Sequence, residues 1–420
     1  MKIALISEHA SPLAVQGGTD SGGQNVYVAY VARELGRAGH TVDVFTRRDD
    51  PGLPPAIAFA PNVRVLPIAA GPPRPVPKEK LLPYMAEFGD GVALHCAPPS
   101  RPYDVVHANF FMSGLVGLRL RQAFGLPLVV TFHALGKVRR LHQGSADTFP
   151  EARLRIEELL ALHADRLIAE CPQDREDLIS LYGADKRCIS MVPCGVDSAE
   201  LGPGDGGARR RLGLAEDEFV VLQLGRMVPR KGVDNVIRAV GELRRRHGLR
   251  ARLLVVGGES AEPDAALTPE IGRLQAVARE AGVEDQVVFT GRRERHALRD
   301  FYSAASVFVT TPWYEPFGIT PLEAMACGCP VIGANVGGIR HTVVDGCTGY
   351  LVQPRDPAQL AERLARLQRD PALARAFGQA GMRRVRRLFT WRHVASALET
   401  VYRSLQPSPT LQTTERMMSL

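Results

Sequence analysis

One pattern in this chain restricts its fold more than any other, and it occurs twice. Residues 2–7 are an apolar run that leads into a glycine-rich loop, Gly17-Gly18-Thr19-Asp20-Ser21-Gly22-Gly23-Gln24-Asn25. Residues 26–38 follow with Val28, Val31, Ala32 and Leu35 on one helical face, Gly39 closes the helix, and 41–46 is apolar again. Strand, loop, helix and strand in that order imply parallel pairing through a right-handed crossover. After Gly202-Pro203-Gly204-Asp205-Gly206-Gly207, the sharpest break in composition, the pattern restarts. Residues 219–224 read as a strand, Gly225-Arg226-Met227-Val228-Pro229-Arg230-Lys231-Gly232 as a loop, 233–247 as a helix and 251–256 as a strand.

Between these starts the alternation continues. Strands are predicted at 63–68, 105–107, 127–132, 166–170, 189–192, 286–289, 307–310 and 330–333. Helices are predicted at 149–164, 271–281, 298–304, 360–367, 372–389 and 391–404. The fold class is therefore α/β. Two halves of similar size, each opening on a strand that feeds a phosphate-accessible loop, would face each other across a cleft, because open parallel sheets bind ligands at the carboxyl ends of their strands. We divide the chain into a first domain at 1–201, a linker region at 202–215, a second domain at 216–390, a final helix at 391–405 and a disordered tail at 406–420.

Composition narrows the function classes. With 420 residues, two or more domains are expected. The net charge of +7 comes with arginine runs such as Arg244-Arg245-Arg246, but no nucleic-acid motif accompanies them. Solvated helix faces, or a positive cleft for an anionic ligand, account for them better. No apolar run is long enough to span a bilayer, so stable membrane insertion is not expected. The seven cysteines are odd in number and lack C-x-x-C spacing, which suggests small buried thiols in a reduced, cytoplasmic protein.

The stretch Trp313-Tyr314-Glu315-Pro316-Phe317-Gly318-Ile319-Thr320-Pro321-Leu322-Glu323 carries most of the chemistry. It follows a strand and starts a helix. Thr320 is the expected N-cap, Pro321 the first helical residue and Glu323 the far half of a capping box. Taken alone, this is a capped helix with a solvated glutamate in the loop before it. The N–H groups of Gly318, Ile319 and Thr320 would nevertheless lie at a positive helix end that favours phosphate. Arg226 and Lys231, set across a turn, would add two fixed cations, although either alone is equally a solvated loop charge. His133 follows the strand at 127–132, where such sheets bind ligands.

Together these residues carry a resemblance. The R-x4-K pair Arg226…Lys231 and the E-x7-E pair Glu315…Glu323 resemble the retaining family-4 glycosyltransferases of the GT-B fold, which has two facing Rossmann-like domains with parallel sheets and an interdomain cleft. The likeness covers nearly the whole chain. Thr19-Asp20-Ser21-Gly22-Gly23-Gln24-Asn25-Val26-Tyr27, Pro77-Lys78-Glu79-Lys80 and His133-Ala134-Leu135-Gly136 are similar to the branch containing sucrose-phosphate synthase and D-inositol-3-phosphate glycosyltransferase. The resemblance implies that a hexosyl group moves from a nucleotide-diphosphate sugar, UDP-glucose by branch, to a hydroxyl of a small sugar, sugar phosphate or cyclitol. It also implies catalytic roles for His133, Arg226, Lys231 and Glu315. Donor contacts fall on Gly22, Gly23, Arg226, Lys231, Arg293, Glu315, Phe317, Gly318, Ile319, Thr320 and Glu323, the last on the ribose. Acceptor contacts fall on Asn25, Lys78, Phe110 and Arg153, with Arg155 the alternative to Arg153. The final helix would cross back onto the first domain.

Phe110 and Ala134 depart from the inositol-phosphate pattern, which has hydroxyl residues at both positions. Such losses at a polar site signal a changed acceptor. No Asp-x-Asp signature is present and two cations can serve the diphosphate, so no metal or other cofactor is expected. The sequence leaves oligomeric state open. Three rival functions are a non-catalytic nucleotide-sugar binder, a phosphatase or epimerase acting on the donor, and a transferase acting on a lipid or polysaccharide at the membrane. The first could dispense with His133 and Glu315, yet both are present.

Overall fold

The computed structural model describes residues 1–14, 22–97 and 103–406. The loop residues 15–21 and the tail residues 407–420, on which parts of the glycine-loop and disorder expectations fall, lie outside the described residues.

Two sheets form. The first takes β1 (Lys2–Ile6), β2 (Thr41–Arg47), β3 (Ile57–Ala60), β4 (Val63–Ile68), β5 (Val105–Asn109), β6 (Leu128–Thr131), β7 (Arg166–Ala169) and β8 (Ile189–Met191), in the order β3-β4-β2-β1-β5-β6-β7-β8. The second takes β9 (Val220–Leu224), β10 (Arg252–Val256), β11 (Val287–Gly291), β12 (Val307–Thr310), β13 (Val331–Ala334) and β14 (Gly349–Val352), in the order β11-β10-β9-β12-β13-β14. The second sheet is parallel throughout. The first is parallel except at its edge, where β3 pairs antiparallel with β4. Strand β3 of that edge hairpin is not among the predicted strands, and the hairpin is the one antiparallel pair of the sheet among the described residues. It turns at Asn62, which holds φ +61°, a conformation asparagine tolerates better than most residues.

The central strands are buried on both faces, as their near-continuous Val, Leu and Ile content requires. Strand order reverses at β1, between β2 and β5, and again at β9, between β10 and β12. These are the topological switch points of such sheets, where crevices open at the carboxyl ends. The loops after β1, β5 and β6 in one half, and after β9 and β12 in the other, therefore supply the cleft.

The Trp391–Arg403 helix lies against the Gly23–Arg37 helix of the first half. Trp391 stacks on Tyr30 with ring centroids 5.4 Å apart, and the Tyr402 hydroxyl bonds His107 Nδ1 at 2.7 Å. Burial pushes the His107 imidazole down to about 3, so this ring is a neutral structural partner. No helix among the described residues is long and apolar enough to cross a membrane. All seven cysteines are free; five are buried as expected, whereas Cys188 is half-buried and Cys347 exposed.

Candidate active site

The loop after β9 builds one wall of the cleft. Pro229–Lys231 form a single tight turn, closed by Gly232 at φ +66°. A Cβ on Gly232 would lie 2.1 Å from the Thr311 carbonyl oxygen, so only glycine lets this turn press against the loop after β12. The contact brings Lys231 Nζ to 2.5 Å from Glu315 Oε2, with Arg230 Nη1 3.6 Å from the same oxygen. Burial, aided by Arg230 and Arg226, outweighs the upward pull of Glu315 and brings the Lys231 ammonium down to about 8. Burial works to raise the Glu315 carboxyl as well, but Lys231 and Arg230 outweigh it and hold Glu315 below the usual carboxylate range. The result is a nearly buried cluster carrying net positive charge.

The next helix runs from Ile319 to Ala326 and starts earlier than expected. Gly318, at φ +88°, is its N-cap, no side chain caps it, and Thr320 and Pro321 lie within its first turn. The capping box expected between Thr320 and Glu323 is absent because both Glu323 oxygens have stronger partners: Arg295 Nη1 donates to Oε1 at 2.7 Å and the Tyr302 hydroxyl to Oε2 at 2.8 Å. Proline is tolerated in this turn because the first N–H groups of a helix have no intrahelical acceptor. Gly337 fixes the loop from behind at φ +46°, where a Cβ would fall 1.8 Å from the Glu315 carbonyl oxygen. Gly337→Ala is expected to cost about 1–3 kcal/mol of stability, because it must displace the Glu315 backbone; urea unfolding of the variant reads the effect.

The opposite wall comes from the first half. The Gly23–Arg37 helix begins at Gly22, whose N–H donates to Asn25 Oδ1 at 3.0 Å, while Asn25 Nδ2 donates to the Ser11 carbonyl at 3.0 Å. Asn25 is thus buried within its own loop, though it still lines the cleft. A Cβ on Gly23 would stand 3.5 Å from Ile319 Cδ1. Two helix N-termini, one from each half, therefore converge with Arg226, Arg230 and Lys231 on one space, an arrangement suited to a polyanion.

The cleft has two lobes of about 250 Å³ each, sharing Gly22, Gly23, Arg226, Lys231, Glu315, Ile319 and Thr320. One lobe continues past Gly257 and Gly258 to Arg293, Arg295 and Glu323. Arg293 lines this lobe while its Nη1 donates to the Ala261 carbonyl at 2.5 Å. The other lobe runs to Phe317, His133, Lys78, Phe110 and Arg153. His133 holds φ +57° in the loop after β6, with Nδ1 3.1 Å from Glu170 Oε1 and Nε2 3.0 Å from Asn109 Oδ1. At the far end Arg153 is nearly fully buried. Its Nε donates to Glu157 Oε1 at 2.7 Å and its Nη2 to the Ala134 carbonyl at 2.6 Å, and its guanidinium lies 4.4 Å from the Phe149 ring and 4.9 Å from the Phe110 ring. Arg155 is exposed, so Arg153 is the arginine at this site.

Comparison with known proteins decides the family. A model described as "Glycosyltransferase Family 4" matches residues 21–200, and one described as "Glycosyl transferases group 1" matches residues 207–384. The chain is 39% identical to a D-inositol 3-phosphate glycosyltransferase of Acidothermus cellulolyticus, over 100% of this chain and 93% of that one. The chain belongs to the family-4 glycosyltransferases. A second relative of the same name, from Actinosynnema mirum, is 40% identical over 96% of both chains. Among solved structures, sucrose-phosphate synthase of Thermosynechococcus elongatus superposes with a TM-score of 0.87 at 36% identity, covering 96% of this chain and 98% of that one. The two-domain GT-B architecture expected from the sequence is the one observed.

The cleft of this glycosyltransferase also holds residues the sequence did not single out. Arg230 joins the cation cluster, Arg139 lines the lobe of His133 and Arg153 while bonding Asp147 Oδ1 at 2.7 Å, and Glu170 holds His133. Arg230 was visible as the third cation of the Gly225–Gly232 loop. Arg139 and Glu170 carried no local signal, because their partners come from other elements.

Proposed function

We propose that this enzyme transfers a hexosyl group, with retention of anomeric configuration, from UDP-glucose or a close analogue to a hydroxyl of a small anionic sugar or cyclitol. The observation that carries this reading is the convergence of Arg226, Arg230 and Lys231 with two helix N-termini in a nearly buried space. A departing nucleoside diphosphate gains negative charge as the glycosidic bond breaks, and fixed cations stabilise that gain without solvent reorganisation. Because the protein supplies this charge itself, we propose that no metal is required. In this reading Glu315 holds hydroxyls of the transferred sugar, Glu323 takes the ribose, Gly22 and Gly23 approach the diphosphate, and His133 faces the transferred sugar.

For the acceptor, Lys78, Arg139 and Arg153 line one end of the cleft and favour an anionic group. Where the inositol-phosphate pattern has hydroxyls, this chain presents the Phe110 ring and the Ala134 carbonyl, both engaged by Arg153. We propose that the acceptor anion is read by charge, with fewer hydroxyl donors than in that pattern. Phe110→Tyr is then expected to raise kcat/KM for a phosphorylated cyclitol acceptor by about tenfold, the worth of one hydrogen bond to a charged group. An unchanged acceptor ranking in steady-state kinetics contradicts it. The free thiols fit a cytoplasmic setting.

The direct test is a donor-by-acceptor screen. UDP-glucose, UDP-N-acetylglucosamine and GDP-mannose are each incubated with D-inositol 3-phosphate, hexose phosphates and their unphosphorylated forms, and products are read by mass spectrometry. A new glycoside with a phosphorylated acceptor is expected. Free sugar alone would indicate a hydrolase and isomerised donor an epimerase, and either result overturns the reading.

A further inference from the structure

The Arg295–Ala304 helix opens with Arg295, a cleft residue to which the proposed function assigns no role. Arg295 donates through Nη1 to Glu323 and through Nε to Glu200 Oε2 at 2.9 Å. The same Glu200 oxygen accepts the Tyr30 hydroxyl. Tyr30 belongs to the Gly23–Arg37 helix, whose N-terminus walls the diphosphate space, and its ring lies 5.6 Å from the Arg295 guanidinium. One side chain thus spans from the nucleoside lobe of the second half to the helix that faces it from the first. Its remaining nitrogen, Nη2, is buried without a protein partner, and Arg295 lines the lobe.

Glu323 has one donor on each oxygen. An ionised carboxylate offers about four acceptor positions, so about two stay available after Arg295 and Tyr302 have bound. Fixed in this way, Glu323 can accept two neighbouring hydroxyls without first choosing a rotamer, which lowers the ordering cost of binding. A lysine could not do the same, because a single ammonium lacks the planar fork that reaches Glu323 and Glu200 together.

We propose that Arg295 is a positioning residue for the donor: it orients Glu323 toward the vicinal hydroxyls of the nucleotide ribose and ties that contact to the first half through Glu200 and Tyr30. The proposal rests on Glu323 being the ribose-binding carboxylate. A residue that merely braced the fold would affect every nucleotide alike, whereas a positioning residue affects those that carry the hydroxyls.

The experiment titrates the full chain with uridine diphosphate and with its 2′,3′-dideoxy analogue by calorimetry. The unsubstituted protein is expected to prefer the ribonucleotide by about tenfold or more. Arg295→Met is expected to weaken uridine diphosphate by about tenfold and the dideoxy analogue by less than about twofold. Glu200→Gln, which leaves the Arg295–Glu323 bond in place, serves as a milder second variant and is expected to narrow the ratio by about threefold. Equal weakening of both nucleotides by Arg295→Met overturns the positioning role and leaves the Glu323 assignment standing. Loss of discrimination in the unsubstituted protein removes the Glu323 assignment, and the proposal with it. An unchanged ratio in Glu200→Gln overturns the tie to the first half.

Discussion

Lys231→Ala is expected to lower kcat by about 10²–10³-fold with a much smaller change in donor KM, the usual cost of removing one donor from a site of developing charge. The ammonium sits 2.5 Å from Glu315 and lines both lobes of the cleft. On the proposed function the diphosphate already carries charge in the ground state, so Lys231 would contribute to binding. During bond cleavage that charge grows, and the contribution made only in the transition state appears in kcat. Arg226→Ala is expected to behave in the same direction. If steady-state kinetics showed both variants changing donor KM alone, the leaving-group role would be wrong.

The same lysine sets a pH limit. In the proposed role Lys231 acts in its protonated form, and in the free enzyme burial, aided by Arg230 and Arg226, has brought its ammonium down to about 8. Plots of kcat/KM report the free enzyme, so they are expected to fall as pH rises through this value. The bound diphosphate adds negative charge beside Lys231 and favours its protonated form, so the corresponding limb in kcat lies at higher pH. A kcat/KM profile that stays flat well above this range contradicts the assignment.

The largest stability effect is expected from Glu157→Ala. Glu157 is fully buried and accepts from Arg153 Nε at 2.7 Å, from the Gly136 N–H at 2.8 Å and from the Tyr182 hydroxyl at 2.5 Å. Burial and the neighbouring carboxylate push the Tyr182 phenol far up, so it stays a donor. Removing the carboxylate strands the Arg153 guanidinium in an aromatic enclosure of Phe110, Phe111 and Phe149. Breaking a buried pair in this way costs about 3–5 kcal/mol. Denaturant unfolding is the measurement, and a loss below about 1 kcal/mol would mean that Arg153 finds solvent or another partner. On the proposed role of Arg153 in reading the acceptor, acceptor KM is expected to rise in the same variant, since Arg153 loses the bond that aims it.

Much of this arrangement was legible in the sequence because it is local. The strands β1, β2, β9 and β10 are short apolar runs, and the Gly225–Gly232 loop after β9 carries its three cations in plain view. The Phe111–Phe124 helix was not legible: it is buried on nearly every side from Phe111 to Leu120, so no polar face gives it a helical period. Its start is unusual as well, with Phe110 at φ +85°. The capping box at Thr320 misled for a different reason. It is a sound local signal, but Arg295 and Tyr302 offer Glu323 a stronger set of donors from another helix, and nothing within a few residues of Glu323 announces them. The hold of Glu170 on His133 is invisible for the same reason, since the partners meet only when β6 and β7 pair side by side.

The central claim is retaining hexosyl transfer supported by the protein's own cations. Its most direct test is proton NMR of the reaction between UDP-glucose and the best acceptor of the screen, run in excess chelator. The account predicts UDP and a glycoside whose anomeric proton shows the small coupling of the α configuration carried by the donor, formed at an undiminished rate. A β-linked product, or transfer that stops with chelator and returns with magnesium, would contradict it.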